Sequence, residues 1–321
     1  KVKSPKAIIA CVIAIVIAIG AVVVFFNTDN KIVAKINIIT EALKDGQSLG
    51  GSASFYEDVN VDGETATVIT KDGNYTIDYA EAGTQLMHNG NVLTPVSIEP
   101  MESQKDGKTY TFNESGMTWK MMIYGNNATL VGVDPQGTET YFMFSEVDGK
   151  LSMVDRFGTP VDLNVPVESF GFKGVERLGS NRGYIYSRSI PLLKHNIILG
   201  AGADNFVLEF PQQDIKSKLE FLGDPYVIID KPHNMFLQMG INDGCIALLV
   251  MIALFVLYVA QTIKRIFTDN NKYLQAVRYG LMAGCIAYMI TGLTTDSVVS
   301  VAPVFWIMLW AEVLPHTICT P

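Results

Sequence analysis

Four long apolar runs limit what this chain can fold into. The first, residues 7–26, is twenty residues long and has no charged side chain. An α-helix rises about 1.5 Å per residue, so a run of this length covers a hydrocarbon core of about 30 Å. Three further runs follow near the C-terminus, at residues 245–263, 276–294 and 298–314. The pattern predicts four transmembrane helices.

Composition agrees with a membrane location. Charged residues make up only 17% of the chain, and the mean hydropathy is positive. Both values are unusual for a soluble protein. A cleaved signal peptide is the alternative for the first run, but residues 22–26 offer no small-residue cleavage site.

The basic residues beside these runs predict an orientation, because Lys and Arg in short loops stay on the cytoplasmic side. Those that flank the runs are Lys1, Lys3, Lys6, Lys264, Arg265, Lys272 and Arg278. They precede the first run or adjoin the loop between the second and the third. The link at 295–297 carries only Asp296. Residues 27–243 are therefore predicted to be extracytoplasmic.

The extracytoplasmic part changes character along its length. Residues 54–165 alternate between apolar and polar over short runs separated by Asp-Gly, Asn-Gly and Gln-Gly pairs, which predicts antiparallel hairpins in a meander, sandwich or small barrel. Helical spacing predicts an amphipathic helix at 30–45 and a second helix at 179–194, bent or ended by Pro191.

These patterns predict a membrane protein in which α-helical transmembrane segments are combined with an extracytoplasmic, mainly antiparallel β domain, α+β overall. We divide the chain into a basic flank and first span, a β-rich domain, a helical and loop region with the candidate site, and three spans. The bounds are 1–26, 27–169, 170–243 and 244–321.

Charge and cysteine content exclude some functions. The net charge of −8, without a cation cluster away from the membrane flanks, argues against nucleic acid as a partner. All four cysteines lie in or beside the apolar runs, so neither disulfides nor cysteine-bound metal are expected at 27–243. Gly200 and Gly202 lack the third glycine of a dinucleotide site.

One histidine is marked by its context. The chain contains three His-Asn pairs, at 88–89, 195–196 and 233–234. Only His233 lies about ten residues before an apolar run long enough to cross a bilayer, which holds it at a fixed depth relative to lipid. That position suits chemistry on a lipid-linked substrate.

A series of short motifs surrounds this histidine. They are Gly-Ser-Asn-Arg-Gly at 179–183, Ile-Pro-Leu-Leu-Lys at 190–194, Leu-Gly-Ala-Gly at 199–202, Phe-Pro-Gln at 210–212, Lys-Pro-His-Asn at 231–234, Leu-Gln at 237–238, Gly244, and Ala-Pro-Val-Phe-Trp at 302–306. In this order they resemble the bacterial O-antigen ligase and O-antigen polymerase family of membrane glycosyltransferases. Tyr186 stands where the family usually has Trp, and Ala247 where a second Gly often follows Gly244.

The resemblance implies a multi-pass protein of the cytoplasmic membrane that takes part in polysaccharide assembly in the cell envelope. Its implied reaction moves a glycan from undecaprenyl diphosphate to an acceptor hydroxyl. The implied partners are the lipid-linked donor, a glycan or lipid-glycan acceptor and membrane lipid, with no cofactor. Family members have about ten or more spans, so we expect this chain to be a C-terminal portion that is inactive alone.

The resemblance also implies roles for residues. Arg182 is the candidate for binding the diphosphate, because a guanidinium can bind its oxygens in bidentate fashion. His233 is the candidate general base for the acceptor hydroxyl. The candidate substrate-binding residues are Asn234, Lys231, Arg188 and Gln238. No Asp-x-Asp pair or Cys/His cluster occurs in this region, which favours a metal-independent reaction.

Other interpretations stay open from the sequence. Arg182 could pair with Glu176, His233 could cap the second span, and Lys231 and Arg188 could face anionic headgroups. The whole chain could instead be a membrane-anchored sensor that binds a ligand outside the cytoplasm, or a protein-interaction scaffold. Ligase and polymerase share these residues and differ in the acceptor, so the motifs do not separate them.

Overall fold

The structure is a computed structural model that describes residues 55–80, 83–134 and 137–313. The predicted first span at 7–26 and the predicted amphipathic helix at 30–45 lie outside the described residues.

The first sheet is a meander of five antiparallel strands in chain order. The strands are β1 (Tyr56–Asp62), β2 (Thr65–Thr70), β3 (Gly73–Ala80), β4 (Gly83–His88) and β5 (Asn91–Val92). Asn89 and Gly90 form the two-residue turn from β4 to β5, and both have positive φ, at 50° and 81°. Asn-Gly suits such a turn because both residues tolerate left-handed backbone.

The second sheet is a meander of six antiparallel strands, again in chain order. The strands are β6 (Ser97–Pro100), β7 (Lys108–Glu114), β8 (Met117–Tyr124), β9 (Asn127–Val133), β10 (Glu139–Val147) and β11 (Lys150–Met153). Asp148 and Gly149 make the β10–β11 turn with φ of 53° and 74°. The predicted antiparallel β structure within 54–165 is confirmed.

The two sheets enclose one apolar core. Alternate residues of the strands point into it, as expected for strands with one buried face. Trp119, Tyr75 and Phe142 are fully buried there. The backbone N–H of Leu151 in β11 donates to the carbonyl of Gly63 after β1 at 2.8 Å, which joins the sheets along one edge.

Seven α-helices and one 3-10 helix follow within the described residues. They are α1 (Leu178–Ser189), the 3-10 helix (Ile190–Lys194), α2 (Phe206–Glu209), α3 (Ile215–Leu222), α4 (Met235–Asn242), α5 (Cys245–Thr268), α6 (Lys272–Thr291) and α7 (Ala302–Val313). The predicted helix at 179–194 occurs as the regular part of α1, which begins after residues 179–181, and the 3-10 helix. The two elements meet one residue before Pro191. Proline cannot donate the backbone hydrogen bond that a continuous α-helix needs.

Helix α3 connects the sheets to the rest of the molecule. Ile215 and Leu219 on one face are buried in the core between the sheets, and Tyr226, just after the helix, accepts a hydrogen bond from the backbone N–H of Met143 at 2.9 Å. On the other side, Asp214 at the start of α3 pairs with Arg188 of α1 at 3.0 Å. The β region is therefore fastened to the helix that carries the candidate arginine.

Lys218 of α3 gives a prediction about pH. Its side chain is buried and donates to the backbone and side-chain oxygens of Gln212 at 2.8 and 3.0 Å. Burial lowers the pKa of Lys218 from 10.5 to about 8. Between these values the unfolded chain keeps a proton that the folded protein has lost, so the free energy of unfolding rises with pH, by up to about 1.4 kcal/mol per unit.

We expect this rise in the wild type and not in Lys218→Met. The measurement is chemical denaturation of both proteins at several pH values from about 8 to 10.5, comparing their difference in unfolding free energy. Below pH 8 the lysine is charged in both states and contributes no slope. A difference that stays constant over the whole range would show that Lys218 is not the group responsible.

The C-terminal helices bear on the predicted spans. Among the described helices, only α5, with 24 residues, is long and apolar enough to cross a membrane; α7 contains a shorter apolar stretch, Ala302–Ala311. Helix α6 begins at Lys272, earlier than the predicted run at 276–294, and carries Arg278, which is buried against Asp269. The molecule is a mixed α+β structure, and its crossing of the membrane by several helices stays a prediction.

Candidate functional site

The His-Asn pair at 233–234 lies at the start of α4, against the loop between α6 and α7. The side-chain oxygen of Asn234 accepts from the backbone N–H groups of Phe236 and Leu237 at 2.9 and 3.0 Å, which caps the helix. Its amide nitrogen donates to the carbonyl of Leu293 at 3.0 Å. Asn234 therefore joins α4 to the α6–α7 loop, and its polar atoms are already engaged.

His233 forms a pair that the sequence did not predict. Its Nδ1 lies 2.9 Å from Oδ2 of Asp296 in the α6–α7 loop. The histidine side chain is 42% exposed and the aspartate 10%. With the carboxylate as acceptor, the proton resides on Nδ1, and Nε2 is left free to accept another proton. The other carboxylate oxygen of Asp296 is buried without a hydrogen bond from the described residues.

Tyr186 holds the backbone of this histidine. Its hydroxyl lies 2.9 Å from the carbonyl oxygen of His233 and 3.2 Å from that of Leu293, and donates toward both. The hydroxyl thus links α1 to both segments of the histidine–aspartate pair. The sequence alone assigned no functional role to Tyr186. Its ring packs, edge to face, on Phe172.

The backbone is unusual at two places in this region. His233 has φ of 52°, and Gly179, Ser180 and Asn181 at the start of α1 have φ between 60° and 68°. Left-handed conformations cost non-glycine residues of order 1–3 kcal/mol, and they persist where surrounding contacts hold them. For His233 those contacts are the hydrogen bonds to Tyr186 and Asp296.

Arg182 begins the regular part of α1, directly after the left-handed residues. It lies one turn before Tyr186, so the two side chains share a helix face. Burial raises the pKa of Tyr186, and the nearby guanidinium of Arg182 opposes that rise. The only hydrogen bond of Arg182 within the described residues is a long one, 3.5 Å, to the carbonyl of Gly179. It forms no ion pair with Glu176 or with another described carboxylate, so its charge is available.

Of the other predicted residues, Lys231 and Gln238 belong to the surroundings of the histidine and its loop, whereas Arg188 has a partner elsewhere. Lys231 is exposed two positions before the histidine, and Gln238 accepts a hydrogen bond from the backbone N–H of Ser297 at 3.4 Å, on the same loop as Asp296. Arg188 instead pairs with Asp214, and it is six residues from Arg182, which places it about 120° away around the helix.

Arg188 has a complete set of partners of its own. Its guanidinium donates to Asp214, to Ser187 and to Ser217, and lies over the ring of Tyr184 at 4.7 Å. Its contact with a substrate phosphate stays a prediction, without support from this geometry. The alternative role of His233 as a cap of the second span is not seen either, because Gly244 occupies the position before α5.

Within 55–80, 83–134 and 137–313, no group of three His, Cys, Asp or Glu residues is arranged to hold a metal ion.

Comparisons with protein-family models, with curated proteins and with solved structures found no match to this chain. The resemblance to the O-antigen ligase and polymerase family therefore rests on the ordered motifs alone.

Proposed function

We propose that this protein is a membrane glycosyltransferase of the O-antigen ligase or polymerase type, which transfers a glycan from undecaprenyl diphosphate to an acceptor hydroxyl. The observation that carries the proposal is the hydrogen-bonded pair of His233 and Asp296, held by Tyr186 on the helix that presents an uncommitted Arg182. A base and a free cation are the two groups that this reaction needs.

His233 activates the acceptor. The acceptor hydroxyl gives its proton to Nε2 as its oxygen attacks the anomeric carbon of the donor glycan. Asp296 fixes the tautomer through Nδ1 and stabilises the imidazolium that forms. The 42% exposure of the histidine side chain leaves room for an acceptor sugar to approach.

Arg182 assists the departure of the donor lipid. The bond between the anomeric carbon and the diphosphate oxygen breaks as the new glycosidic bond forms, and negative charge develops on the leaving diphosphate. A guanidinium binds two such oxygens at once and is permanently charged, so it stabilises the leaving group through the reaction. Exposed Lys231 adds positive charge two residues before the histidine.

The proposed membrane topology agrees with this arrangement. If α5 and α6 cross the bilayer in opposite directions, the start of α5 and the α6–α7 loop lie on the same side. The contact between His233 before α4 and Asp296 in that loop supports this topology. The reacting groups would then lie at the lipid surface, where the diphosphate of a polyprenyl donor resides.

The test is reconstitution of the full-length protein in liposomes with undecaprenyl diphosphate-linked glycan and a glycan or lipid-glycan acceptor. We expect release of undecaprenyl diphosphate together with extension of the acceptor, and no transfer from a nucleotide sugar. Binding of the donor without turnover, in a protein shown to be folded and inserted, would favour the sensor alternative instead.

We further expect the transfer to persist after metal removal. The prediction follows from the absence of an Asp-x-Asp pair around the site, since carboxylate pairs are typical of Mg²⁺-dependent phosphate chemistry. The measurement is the initial rate before and after dialysis against EDTA. A rate that falls with EDTA and returns with added Mg²⁺ would contradict it.

A further inference from the structure

A short loop between the 3-10 helix and α2 exposes three consecutive apolar side chains. Ile197, Ile198 and Leu199 have 54%, 66% and 85% of their surfaces exposed. We call these three residues the apolar loop. Runs of exposed apolar residues are uncommon on protein surfaces and mark places where something other than water makes contact.

Hydrogen bonds fasten the apolar loop to the first turn of α5. The backbone N–H of Cys245 donates to the carbonyl of Asn196, and that of Ile246 to the carbonyl of Ile197, each at 3.3 Å. After the loop, the N–H of Ala201 donates to the carbonyl of Ile241 at 2.8 Å. The apolar loop is thus bonded to the protein on both of its sides and lies level with the start of α5.

Two glycines make this close approach possible. Both Gly200 and Gly244 have positive φ. A Cβ at Gly200 would lie 2.3 Å from the carbonyl oxygen of Asn242, and a Cβ at Gly244 would lie 2.4 Å from that of Ile198. Any other residue at either position would push the loop away from the junction of α4 and α5. The backbone is therefore built to present these side chains beside α5.

We infer that the apolar loop is inserted into the lipid bilayer beside the first turn of α5. The evidence for lipid as the occupant is continuity with the candidate span: Ile246, Leu249 and Val250 at the start of α5 are also exposed, by 51%, 64% and 53%. Together with the loop they form one apolar surface at one end of the helix that is long enough to cross a membrane.

This inference rests on the proposed membrane location of α5 and not on the glycosyl transfer. Insertion of the loop gives the region before α4 a second attachment to the bilayer, besides α5. Two attachments limit tilting of the region that carries His233 relative to the lipid surface. A reacting group that must meet a lipid-bound diphosphate needs such a fixed height.

The experiment measures whether each of three positions is in contact with lipid or with water. Full-length protein with its native cysteines replaced by alanine carries a single new cysteine, Leu199→Cys, Leu249→Cys or Phe157→Cys, labelled with a polarity-sensitive fluorophore. Leu249 reports on α5, and Phe157, which is 93% exposed in a turn of the β region, is the aqueous control. The protein is reconstituted in liposomes with or without doxyl-labelled lipid, and iodide is the quencher in water.

We expect the probes at Leu199 and Leu249 to be quenched by doxyl lipid and protected from iodide, and the probe at Phe157 to behave in the opposite way. Iodide quenching at Leu199 with lipid quenching at Leu249 would overturn the inference and leave the membrane location intact. Protection of Leu199 from both quenchers would overturn it too, because protein would then cover the loop. Iodide quenching at Leu249 would contradict the proposed location of α5 in the membrane.

Discussion

Replacing His233 with alanine is expected to lower the rate of glycan transfer by about 10²–10⁴-fold, the usual contribution of a general base. The loss should appear in kcat, because the imidazole acts on the proton of the acceptor rather than on donor binding. The measurement is the initial rate of acceptor extension at saturating donor. Lipid-linked glycan should accumulate in cells that carry the variant, at unchanged protein levels.

His195→Ala is the matched control, because His195 is exposed and its side chain forms no hydrogen bond within the described residues. Asp296→Asn tests the pair itself. Its amide can still contact Nδ1 but cannot stabilise the imidazolium, so kcat should fall while donor KM stays close to the wild-type value. Normal transfer by His233→Ala would contradict the proposed mechanism. Normal transfer by Asp296→Asn would contradict only the role proposed for the aspartate.

Replacing Asp214 with alanine is expected to destabilise the protein by about 3–5 kcal/mol, because removing one partner of a buried ion pair leaves the other charge uncompensated. The side chains of Asp214 and Arg188 are only 9% and 12% exposed. The same carboxylate oxygen also accepts from the hydroxyl of Tyr184 at 3.2 Å. The change should be visible as a lower midpoint of chemical denaturation for the purified protein.

The comparison for this variant is Glu168→Ala. Glu168 pairs with Lys194, and their side chains are 59% and 50% solvent-exposed. Surface pairs of this kind contribute about 0–1 kcal/mol, so the midpoint should change little. Equal effects of Glu168→Ala and Asp214→Ala would mean that burial of the Arg188 pair does not determine its energetic importance.

Local signals in the sequence were sufficient for the hairpins. Asp-Gly and Asn-Gly pairs tolerate the left-handed backbone that tight turns require, and the alternation between them fixes which face is buried. The same signals left a meander, a sandwich and a small barrel all open. The observed arrangement, two sheets around one core, depends on how the strands pack in space. Pro191 likewise marked where α1 ends.

The candidate site could be predicted only in part. His233 can be recognised from the sequence because its distance from an apolar run is a local property. Its partner Asp296 lies 63 residues further along the chain, where it is the only charge in a short link between two apolar runs. No spacing rule connects the two. Arg188 is a cation close to the motifs, which makes it a candidate from the sequence, but the sequence does not reveal the carboxylate of Asp214 that it contacts.

The docking of α3 has a consequence for how such a protein can be altered by recombination. Ile215 and Leu219 of α3, with Tyr226 after it, complete the core between the two sheets, although they follow the β strands by some sixty residues. An exchange that replaced the β region up to residue 169 would leave these side chains facing a foreign surface. The exchangeable unit must therefore include α3. Because Asp214, the partner of Arg188, lies at the start of α3, exchanging the β region would also exchange this partner.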